Sequence, residues 1–589
     1  MASTQGVPAA AAASLSSASA CAAQAPASGQ PTQNGRGPKR PRNSHGNDNQ
    51  GPRKWKQKRT KREKNITEGS SEDVLRHDIE ALLASKGITT TADDGASPCA
   101  DESASPLPEQ GTEIEVDVLE LSSTGDGLAM QAGSHQVYVV PFTVPGDVAR
   151  IKVYRHLPHE GHSAADFVSI VKPSQLRDDA RIQCKYFASC GGCQFQMLSY
   201  EEQLRHKKRI VERAYRNFAG LPAELVPGVH DTIGSPLQYG YRTKLTPHFD
   251  GPPGFRPSRR GRPRTAFESC PDIGFMKKGQ RKVLDIEDCP IGTSAVRLGM
   301  GRERERMSRE FGDYQRGATI LLRENTLRHK QQQQQEEPPQ QDQLPPYTVR
   351  TEGDGFVDIK SCETDSKTTT TEYIDNFIFT NPAGSFFQNN NSILPKFTAY
   401  VRDHILPPLP SSSSSAAAAA AAPAATTPPI KYLIDAYSGS GLFTITLSAM
   451  FQHSTGIDIA ADSIASARHN ASLNGLGPDR CEFLAADANQ LFKSVKYSAD
   501  ETVVVLDPPR KGCDADFLGQ LRNFGPRRIL YVSCNVHTQA RDVGVLVRGE
   551  GEGARYELES LVGFDFFPQT GHVEGVAILN RCVDGGDKS

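Results

Sequence analysis

Hydrophobic and polar residues alternate along the chain from about residue 113, where Ile114, Val116 and Val118 are separated by acidic residues. A period of two is typical of a strand with one buried face. Three further short apolar runs follow, at 137–140, 148–154 and 165–171. Short strands separated by glycine turns predict a small five-stranded, OB-like barrel of the type that binds oligonucleotides.

A second pattern begins near residue 430, where short apolar runs alternate with helical segments. The apolar runs are 432–434, a run that ends at Asp458, 481–485, 502–506, 529–532 and 575–579. A helix is predicted at 461–474, behind the second of these runs. The repeated strand–helix order predicts an α/β fold of the Rossmann-like class, with a mostly parallel sheet and helices on both faces.

These patterns and the composition divide the chain into five predicted segments. Residues 1–110 are poor in large apolar side chains and are predicted to be a disordered basic tail. The barrel (111–173), a small α+β central domain (174–395), a helix with a low-complexity linker (396–429) and the α/β domain (430–589) follow. Within the central domain, a basic Pro/Gly-rich stretch (250–265) and a Gln-rich stretch (330–346) are predicted to be disordered inserts.

Overall charge says little about partners, because 67 Lys and Arg residues balance 69 Asp and Glu residues. Basic residues are nevertheless concentrated at 37–42 and 53–64. Such clusters favour a nuclear-localisation signal or an RNA tether over a tail that only aids solubility.

The sequence shows neither a signal-peptide pattern nor an apolar run long enough to span a membrane. Twelve irregularly spaced cysteines do not resemble a secreted disulfide framework. We therefore expect a soluble protein of the nucleus, the cytoplasm or both, with a mitochondrial pool left open and no obligate protein partner.

Three cysteines lie close together in the central domain, at Cys184, Cys190 and Cys193. Iron–sulfur clusters are held by four thiolates. Cys289, which precedes a proline, is the first candidate for a fourth ligand, and Cys270 is the rival. A [4Fe-4S] cluster, a zinc site and simple packed thiols all fit this spacing.

The first strand of the α/β domain runs into a Gly-containing loop at 435–443, and an acidic residue, Asp458, ends the second strand. A tight strand–loop–helix turn with an acidic strand tip binds a nucleotide and its ribose. Position 444 is Thr, where a nicotinamide or flavin site would have a third Gly. The pattern therefore favours S-adenosyl-L-methionine.

Asp507-Pro-Pro-Arg510 follows another strand and is similar to the Asx-Pro-Pro-aromatic motif of amino-methyltransferases. Arg510 replaces the aromatic residue that would grip an amine, so a different acceptor is expected. Cys534 at the end of the 529–532 strand suggests one, because a thiolate that adds to C6 of a uracil activates C5 for methylation. A base must then remove the C5 proton, and Glu574 is the candidate. The alternatives are a buried packing thiol and a surface carboxylate.

These residues form a pattern that resembles the RNA 5-methyluridine (uracil-C5) methyltransferases over about 113–582. The matching motifs are Phe386-Phe-Gln-Asn389, Asp435-x-Tyr-Ser-Gly-x-Gly441, Asp507-Pro-Pro-Arg-Lys-Gly512, Ser533-Cys-Asn535 and His572-Val-Glu574.

The resemblance implies that Cys534 is the nucleophile and Glu574 the proton acceptor. It also implies that Gln388, Tyr437, Asp458 and Asp507 surround S-adenosylmethionine and the target base. Asp458 stands where the family often has Glu.

The barrel resembles a TRAM domain, whose usual turn matches Val144-Pro-Gly-Asp147. A TRAM domain together with a cysteine cluster is also found in the bacterial rRNA branch of the family. Eukaryotic members with these features act on tRNA at the T-loop uridine, position 54. The low-complexity inserts are typical of a eukaryotic, fungal-type member, so tRNA is the expected substrate, with rRNA the alternative. A non-catalytic RNA-binding or tRNA chaperone protein and a redox sensor are the rival classes of function.

Overall fold

A computed structural model of the protein describes residues 66–88, 106–252, 266–330, 338–408, 428–486, 492 and 495–582. The basic clusters at 37–42 and 53–64, most of the insert predicted at 250–265 and most of the linker before residue 428 lie outside these ranges. Within the described residues, no helix is long and apolar enough to cross a membrane. The helices are α1 (Ser71–Ser85), α2 (Tyr200–Phe218), α3 (Ser294–Glu310), α4 (Leu394–His404), α5 (Leu442–Thr446), α6 (Ala461–Leu473), α7 (Ala515–Phe524) and α8 (Val536–Arg548).

The first five strands close into a barrel in the order β1-β2-β3-β5-β4. They are β1 (Glu113–Leu121), β2 (Gly127–Met130), β3 (Val137–Val140), β4 (Val148–Leu157) and β5 (His162–Lys172). Alternate residues such as Val116, Val118, Ile151 and Val153 point inward and fill the barrel. The predicted closed five-stranded sheet is therefore confirmed.

α1 lies inside the segment predicted to be a disordered tail, and over residues 71–85 that prediction is wrong. Ser70 caps the helix, since its side chain accepts a hydrogen bond from Asp73 N. Ile79, Leu82 and Leu83 are buried against β2 and β3 of the barrel. The helix therefore exists because it has an apolar stripe and a barrel to pack on.

Within its described residues, the central domain contains three small sheets and the helices α2 and α3. Its strands are β6 (Lys244–Leu245), β7 (His248–Phe249), β8 (Gly274–Met276), β9 (Val283–Asp285), β10 (Ala318–Thr319), β11 (Leu322–Lys330), β12 (Val349–Gly353), β13 (Phe356–Glu363), β14 (Thr369–Ile374) and β15 (Phe377–Pro382). They form sheets in the orders β10-β7-β8-β9, β12-β13-β11-β6 and β14-β15. α3 packs on these strands through Val296, Met300 and Met307.

The Gln-rich insert predicted at 330–346 is not disordered throughout. Lys330 belongs to β11, and residues 338–346 include a 3-10 turn at Gln341–Gln343. The Gln343 side chain accepts a hydrogen bond from Gln340 N at 2.9 Å, and Gln341 Nε2 donates to Thr348 O at 3.0 Å. Glutamine side chains therefore supply the hydrogen bonds that fix this turn, which composition alone does not reveal.

Seven strands form the sheet of the α/β domain, in the order β18-β17-β16-β19-β20-β22-β21. They are β16 (Tyr432–Ala436), β17 (His453–Asp458), β18 (Cys481–Ala485), β19 (Thr502–Leu506), β20 (Arg528–Ser533), β21 (Tyr556–Phe564) and β22 (Glu574–Arg581). The first five are parallel, whereas β22 pairs antiparallel with both β20 and β21. The predicted Rossmann-like sheet is confirmed, with an antiparallel hairpin added at one edge.

Helices cover both faces of this sheet, which explains why its strands are continuous apolar runs. On one face, Ile434 and Val504 pack with α2, α7 and α8. On the other, Leu433 and Val503 pack with α4, α5 and α6. Because the strands are parallel, their carboxyl ends meet at one edge, and the loops that follow them form the site described below.

Candidate active site

The loop that follows β16 has an unusual backbone. Tyr437 has a φ of +65°, and Gly439 and Gly441 have φ values of +54° and +92°. Asp458, at the tip of β17, holds this loop, because its carboxylate accepts hydrogen bonds from Gly439 N at 3.0 Å and from Ala460 N at 2.8 Å. A Cβ added at Gly439 would meet no atom within 4 Å. The loop therefore borders open space beside an acidic strand tip.

Asp435 lies buried beneath the loop. Its Oδ2 accepts hydrogen bonds from Thr444 N at 2.9 Å and from Thr444 Oγ1 at 2.6 Å. Burial raises the pKa of Asp435 to about 7, and the neighbouring Asp458 charge adds to the effect. Its other oxygen, Oδ1, and the nearby Ser438 Oγ are buried and have no hydrogen-bond partner among the described residues. Two unsatisfied polar atoms at one strand end are unusual and are typical of a ligand site.

Tyr437 belongs to this loop, whereas Gln388 lies in a separate segment of the chain, after β15. The Tyr437 ring is 5.4 Å from that of Phe517 in α7. Gln388 is half-buried and follows the buried Phe387. The next two residues are each held by a hydrogen bond. Asn389 O accepts one from Thr243 N at 2.8 Å, and Asn390 Nδ2 donates one to Phe566 O at 3.2 Å.

Asp507 follows β19 and lies, half-buried, next to Asp435. Its backbone N donates to Ala436 O at 3.4 Å, which joins the loops after β16 and β19. Burial raises the pKa of Asp507 to about 7, with a further contribution from Asp435. Arg510 O accepts hydrogen bonds from Asn535 Nδ2 at 3.0 Å and from Thr538 Oγ1 at 3.1 Å. The 507–510 segment is thereby fixed against the start of α8.

Cys534 stands between the last residue of β20 and the N-cap of α8. The cap is Asn535, whose side chain accepts a hydrogen bond from His537 N at 3.2 Å. The thiol is partly exposed. Burial and then the carboxyls of Glu574 and Asp507 raise the pKa of Cys534 to about 12, and the Arg510 guanidinium, which hydrogen-bonds the sulfur, opposes them.

Glu574 is the first residue of β22, and strand register brings it to Cys534. Gly575 is the β22 partner of Ser533 in β20, so the residue before Gly575 and the residue after Ser533 lie at the same sheet edge. Burial, with the neighbouring Asp507, raises the pKa of Glu574 well above its ordinary value, while Arg510 opposes the shift. Cys534, Glu574, Asp507 and Arg510 are therefore brought together.

The loop before Glu574 is held by residues that the sequence did not single out. Gln203 Nε2 donates to Gln569 Oε1 at 3.1 Å, and Gln569 N donates to Gln203 Oε1 at 3.0 Å. Tyr241 OH donates to Pro568 O at 3.1 Å. Gln569 has a φ of +71°, so these contacts hold a strained backbone in place.

Lys207 also belongs to this support. α2 is rich in basic residues, but Lys207 and His206 do not form a basic face for RNA, because both are buried. The Lys207 ammonium pairs with Asp565, and the side chains of both residues are fully buried. It also donates to Phe567 O at 3.0 Å. Its partner is distant in sequence, so no local pattern predicts this role.

A cavity of about 520 Å³ opens above Cys534. One wall consists of Arg510, Lys511 and Arg541, and His572 lies near the thiol. Burial and then the charge of Arg510 lower the pKa of His572 to about 4, so this imidazole is neutral at pH 7. Residues 67–71, next to α1, also line the cavity.

The four candidate cluster cysteines lie near one another. Burial and the thiols of Cys289, Cys190 and Cys184 raise the pKa of Cys193, to about 12. Burial, with Cys184 and Cys190, also raises the pKa of Cys289 to about 12. Cys270 is exposed and lies instead beside Arg304 and Asp285. Across the described ranges, no three His, Cys, Asp or Glu side chains are arranged to hold a single metal ion.

Comparison with known proteins adds a family context. Residues 424–582 match the family model tRNA (Uracil-5-)-methyltransferase. The chain is 40% identical over 537 residues to a Schizosaccharomyces pombe protein named tRNA (uracil(54)-C(5))-methyltransferase, covering 91% of this chain and 88% of that protein. A Saccharomyces cerevisiae protein of the same name is 40% identical over 495 residues, which is 79% of this chain and 73% of that protein.

Among solved structures, the fold is similar to that of Pyrococcus abyssi tRNA (uracil-54, C5)-methyltransferase in complex with S-adenosyl-L-homocysteine. The TM-score is 0.51 at 22% identity, over 79% of this chain and all of that chain. At this identity the likeness concerns the fold alone.

Proposed function

The chain belongs to the tRNA (uracil-5-)-methyltransferase family, and from this premise we propose that it methylates C5 of uridine 54 in tRNA through a covalent intermediate. The observation that carries the mechanism is the placement of Cys534. Its thiol stands at a strand end beside the carboxyl of Glu574 and the guanidinium of Arg510. A protein that only binds RNA needs none of these groups in one place.

S-adenosyl-L-methionine fits the loop after β16. Asp435 Oδ1 and Ser438 Oγ are buried without partners there, and Gly439 borders open space. We assign Asp458 to the ribose, since its carboxylate retains free acceptor sites after its two backbone contacts. Gln388, Tyr437 and Asp507 would complete the site next to the target base. When bound, this cofactor supplies an electrophilic methyl group.

Cys534 performs the first step. Its sulfur, once deprotonated, forms a bond to C6 of the uracil, and the electron pair of the C5–C6 double bond moves to O4 as an enolate. Arg510 favours the thiolate, because its guanidinium hydrogen-bonds the sulfur. The enolate makes C5 nucleophilic, and C5 takes the methyl group.

Glu574 performs the last step. Its carboxylate accepts the proton from C5, the electron pair restores the C5–C6 double bond, and the bond between C6 and Cys534 sulfur breaks to release a thiolate. The raised pKa of Glu574 makes its carboxylate a stronger base than an exposed one. Its position next to β20 brings it within the same site as the nucleophile.

The target uridine must leave its stack to reach Cys534, because C6 is inaccessible in a structured loop. The cationic wall of Arg510, Lys511 and Arg541 is suited to the phosphates beside a flipped base. We assign RNA binding also to the barrel, as a TRAM domain, on the basis of its closed five-stranded sheet and its place beside the cavity through Ser123 and Thr124.

The test uses purified protein, radiolabelled S-adenosylmethionine and tRNA from a strain that lacks 5-methyluridine. We expect label in 5-methyluridine, and none in a tRNA transcript with cytidine at position 54. Label in rRNA alone would mean that the substrate is rRNA and that the reaction is the one proposed. RNA binding without any transfer would overturn the enzymatic proposal.

We further propose that Cys184, Cys190, Cys193 and Cys289 hold a [4Fe-4S] cluster that braces the central domain. Their mutual proximity and the separation of Cys270 support this set. A single ion would need all its ligands within about 2.3 Å of one point, as zinc does. In a four-iron cluster each thiolate binds its own iron, so such convergence is not needed.

Iron content and absorption spectra of protein purified without oxygen test this assignment. We expect a brown protein with about four irons per chain. Cys193→Ser should lose the iron, whereas Cys270→Ser should keep it. Colourless protein that contains zinc would contradict the cluster.

We propose that the basic clusters at 37–42 and 53–64 direct the protein to the nucleus while a second pool stays in the cytoplasm. Their density of Lys and Arg supports this role. A fluorescent fusion that lacks residues 1–61 should lose nuclear signal, with label transfer to tRNA in vitro unchanged. Unaltered distribution would contradict the proposal.

A further inference from the structure

α1 touches the loop that carries the nucleophile. Asn535, the residue after Cys534, donates a hydrogen bond from its Nδ2 to Gly69 O at 3.3 Å. Gly69 N donates to Asp73 Oδ2 at 3.1 Å, which closes the turn onto the helix. Gly69 has a φ of +73°, and a Cβ there would lie 2.9 Å from Thr538 Cγ2. The turn therefore fits α8 so closely that a glycine is required.

Buried polar contacts anchor α1 to the barrel. The Asp78 carboxylate accepts hydrogen bonds from Ser123 N at 2.5 Å and from Ser123 Oγ at 3.1 Å. Arg213 of α2 contacts Asp78 at 3.4 Å. Val74 packs in the core shared by α2 and α8. α1 thus joins the barrel to the α/β domain, and its first residues cannot swing away from the cavity without breaking these contacts.

The turn supplies a wall of the cavity that contains Cys534. Thr67, Glu68 and Ser71 are exposed and line it together with Arg510, Lys511 and Arg541. The two walls differ in chemistry, because one carries cations and the other carries hydroxyls and a carboxylate. A phosphate is attracted to the first and repelled by Glu68 on the second.

His537 provides an independent indication that the cavity takes a polar ligand. It lines the cavity, it is only 8% exposed, and its Nδ1 is buried without a hydrogen-bond partner in the part of the chain that the structure describes. Its other neighbours include the Phe218 ring at 5.3 Å. Buried polar atoms are normally satisfied, so an unsatisfied one at a cavity wall indicates a missing partner.

We propose that the turn 67–71 and α1 form a substrate-recognition wall, which contacts the ribose hydroxyls and base edges of the nucleotides that flank the target uridine. Hydroxyl and carboxylate side chains suit the 2′-hydroxyl of RNA, which both donates and accepts. The phosphates of the same nucleotides face the cationic wall. This inference rests on the proposed function and extends its active site to a helix that precedes the barrel.

Ser71→Trp tests the proposal, because an indole at this exposed position would fill the mouth of the cavity. We expect kcat/KM for tRNA to fall about tenfold to a hundredfold, since misplacing a reacting group by about 1 Å costs up to about a hundredfold in rate. S-adenosylmethionine binding and the melting temperature should stay at wild-type values. Ala84→Trp, at an exposed position near the other end of α1, is the matched control. Equal kcat/KM for the two variants would overturn the proposal.

Photocrosslinking gives a second readout that does not need turnover. A benzophenone amino acid at position 67 should crosslink to the T-loop of bound tRNA, whereas the same group at position 84 should not. If the variant with benzophenone at position 67 binds tRNA normally but does not crosslink to it, the proposal that this turn contacts the RNA is overturned. Failure of the wild-type protein to methylate any RNA would instead refute the proposed function, so the two failures are distinguishable.

Discussion

The side-chain oxygen of Gln194 accepts a hydrogen bond from Gly571 N at 3.0 Å, in the loop that leads to Glu574. The same side chain donates from Nε2 to Thr124 O at 2.8 Å, in a barrel turn. Gln194 N donates to Gln569 O at 2.7 Å. Gln194, which follows Cys193, therefore links the barrel to the loop that leads to Glu574, the proposed base.

Gln194→Leu should slow removal of the C5 proton, because the loop before Glu574 loses its fixed position. We expect a larger steady-state fraction of covalent protein–RNA adduct, measured on denaturing gels with labelled RNA. Each lost hydrogen bond should cost only about 1 kcal/mol of stability. Gln183→Leu, an exposed glutamine of the same segment, is the control. A variant that lost stability without accumulating adduct would show that Gln194 has a structural role only.

Glu574→Gln should allow methyl transfer and then trap the product, because a neutral amide cannot accept the C5 proton. The trapped species contains labelled methyl and RNA bound to protein, and gel electrophoresis under denaturing conditions detects it. Cys534→Ala in the same background should abolish the adduct. Glu557→Gln, an exposed carboxylate in β21, should turn over normally. Release of free product by Glu574→Gln at the wild-type rate would remove Glu574 from the mechanism.

The reactivity of Cys534 should rise with pH without a plateau up to about pH 9. Its pKa is raised to about 12 by burial, Glu574 and Asp507, so it is a thiol at neutral pH. Below the pKa, each pH unit increases the thiolate fraction about tenfold, and thiolate is the reactive form. Alkylation by iodoacetamide in the absence of RNA, followed by mass spectrometry of the Cys534 peptide, measures this fraction.

Arg510→Gln should lower the alkylation rate at every pH in that range, because the guanidinium that favours the thiolate is gone and the pKa of Cys534 rises further. Lys511→Gln removes a neighbouring charge that does not hydrogen-bond the sulfur and should leave the rate nearly unchanged. A plateau near pH 8 in the wild-type protein would contradict both expectations.

Lys207→Met should destabilise the fold by about 3–5 kcal/mol, because it leaves the fully buried Asp565 carboxylate without its counterion. Lys207→Met with Asp565→Asn should recover much of this loss, since the charge is then removed from both sides. Lys208→Met breaks an exposed pair with Asp231 and should cost at most about 1 kcal/mol. Denaturant unfolding measures the free energy of unfolding of the three variants. Equal losses for the Lys207 and Lys208 variants would mean that burial of the Lys207 pair has no energetic role.

Much of the site could be predicted from the sequence because its residues stand at strand ends. Asp435, Asp458, Asp507 and Cys534 each follow a short apolar run, and parallel strands bring such positions to one edge. The position of Glu574 could not be predicted from a strand end alone, since it depends on an antiparallel strand and on the register of that strand with β20. The motif at 572–574 indicated the residue, and the pairing of Gly575 with Ser533 explains it.

The residues that hold the loops of the site in place could not be predicted from local sequence patterns. Lys207 lies in a run of basic residues, which is typical of an exposed helix face, and its partner Asp565 is 358 positions away. α1 was missed because the surrounding residues are rich in Ala, Ser and Gly, which conceals the short apolar stripe of Ile79, Leu82 and Leu83. Gln194 has no signal of its own, because its role depends on contacts with two other domains.

The place of β22 between β20 and β21 has a consequence for biosynthesis. β21 is made before β22 and has no partner in the sheet until β22 pairs with both neighbours. Glu574 opens β22, whereas the cofactor loop and Cys534 are translated earlier. A nascent chain on the ribosome therefore contains Cys534 and the loop after β16 before it contains Glu574, the proposed base. On the proposed mechanism, release of the methylated product depends on the insertion of β22.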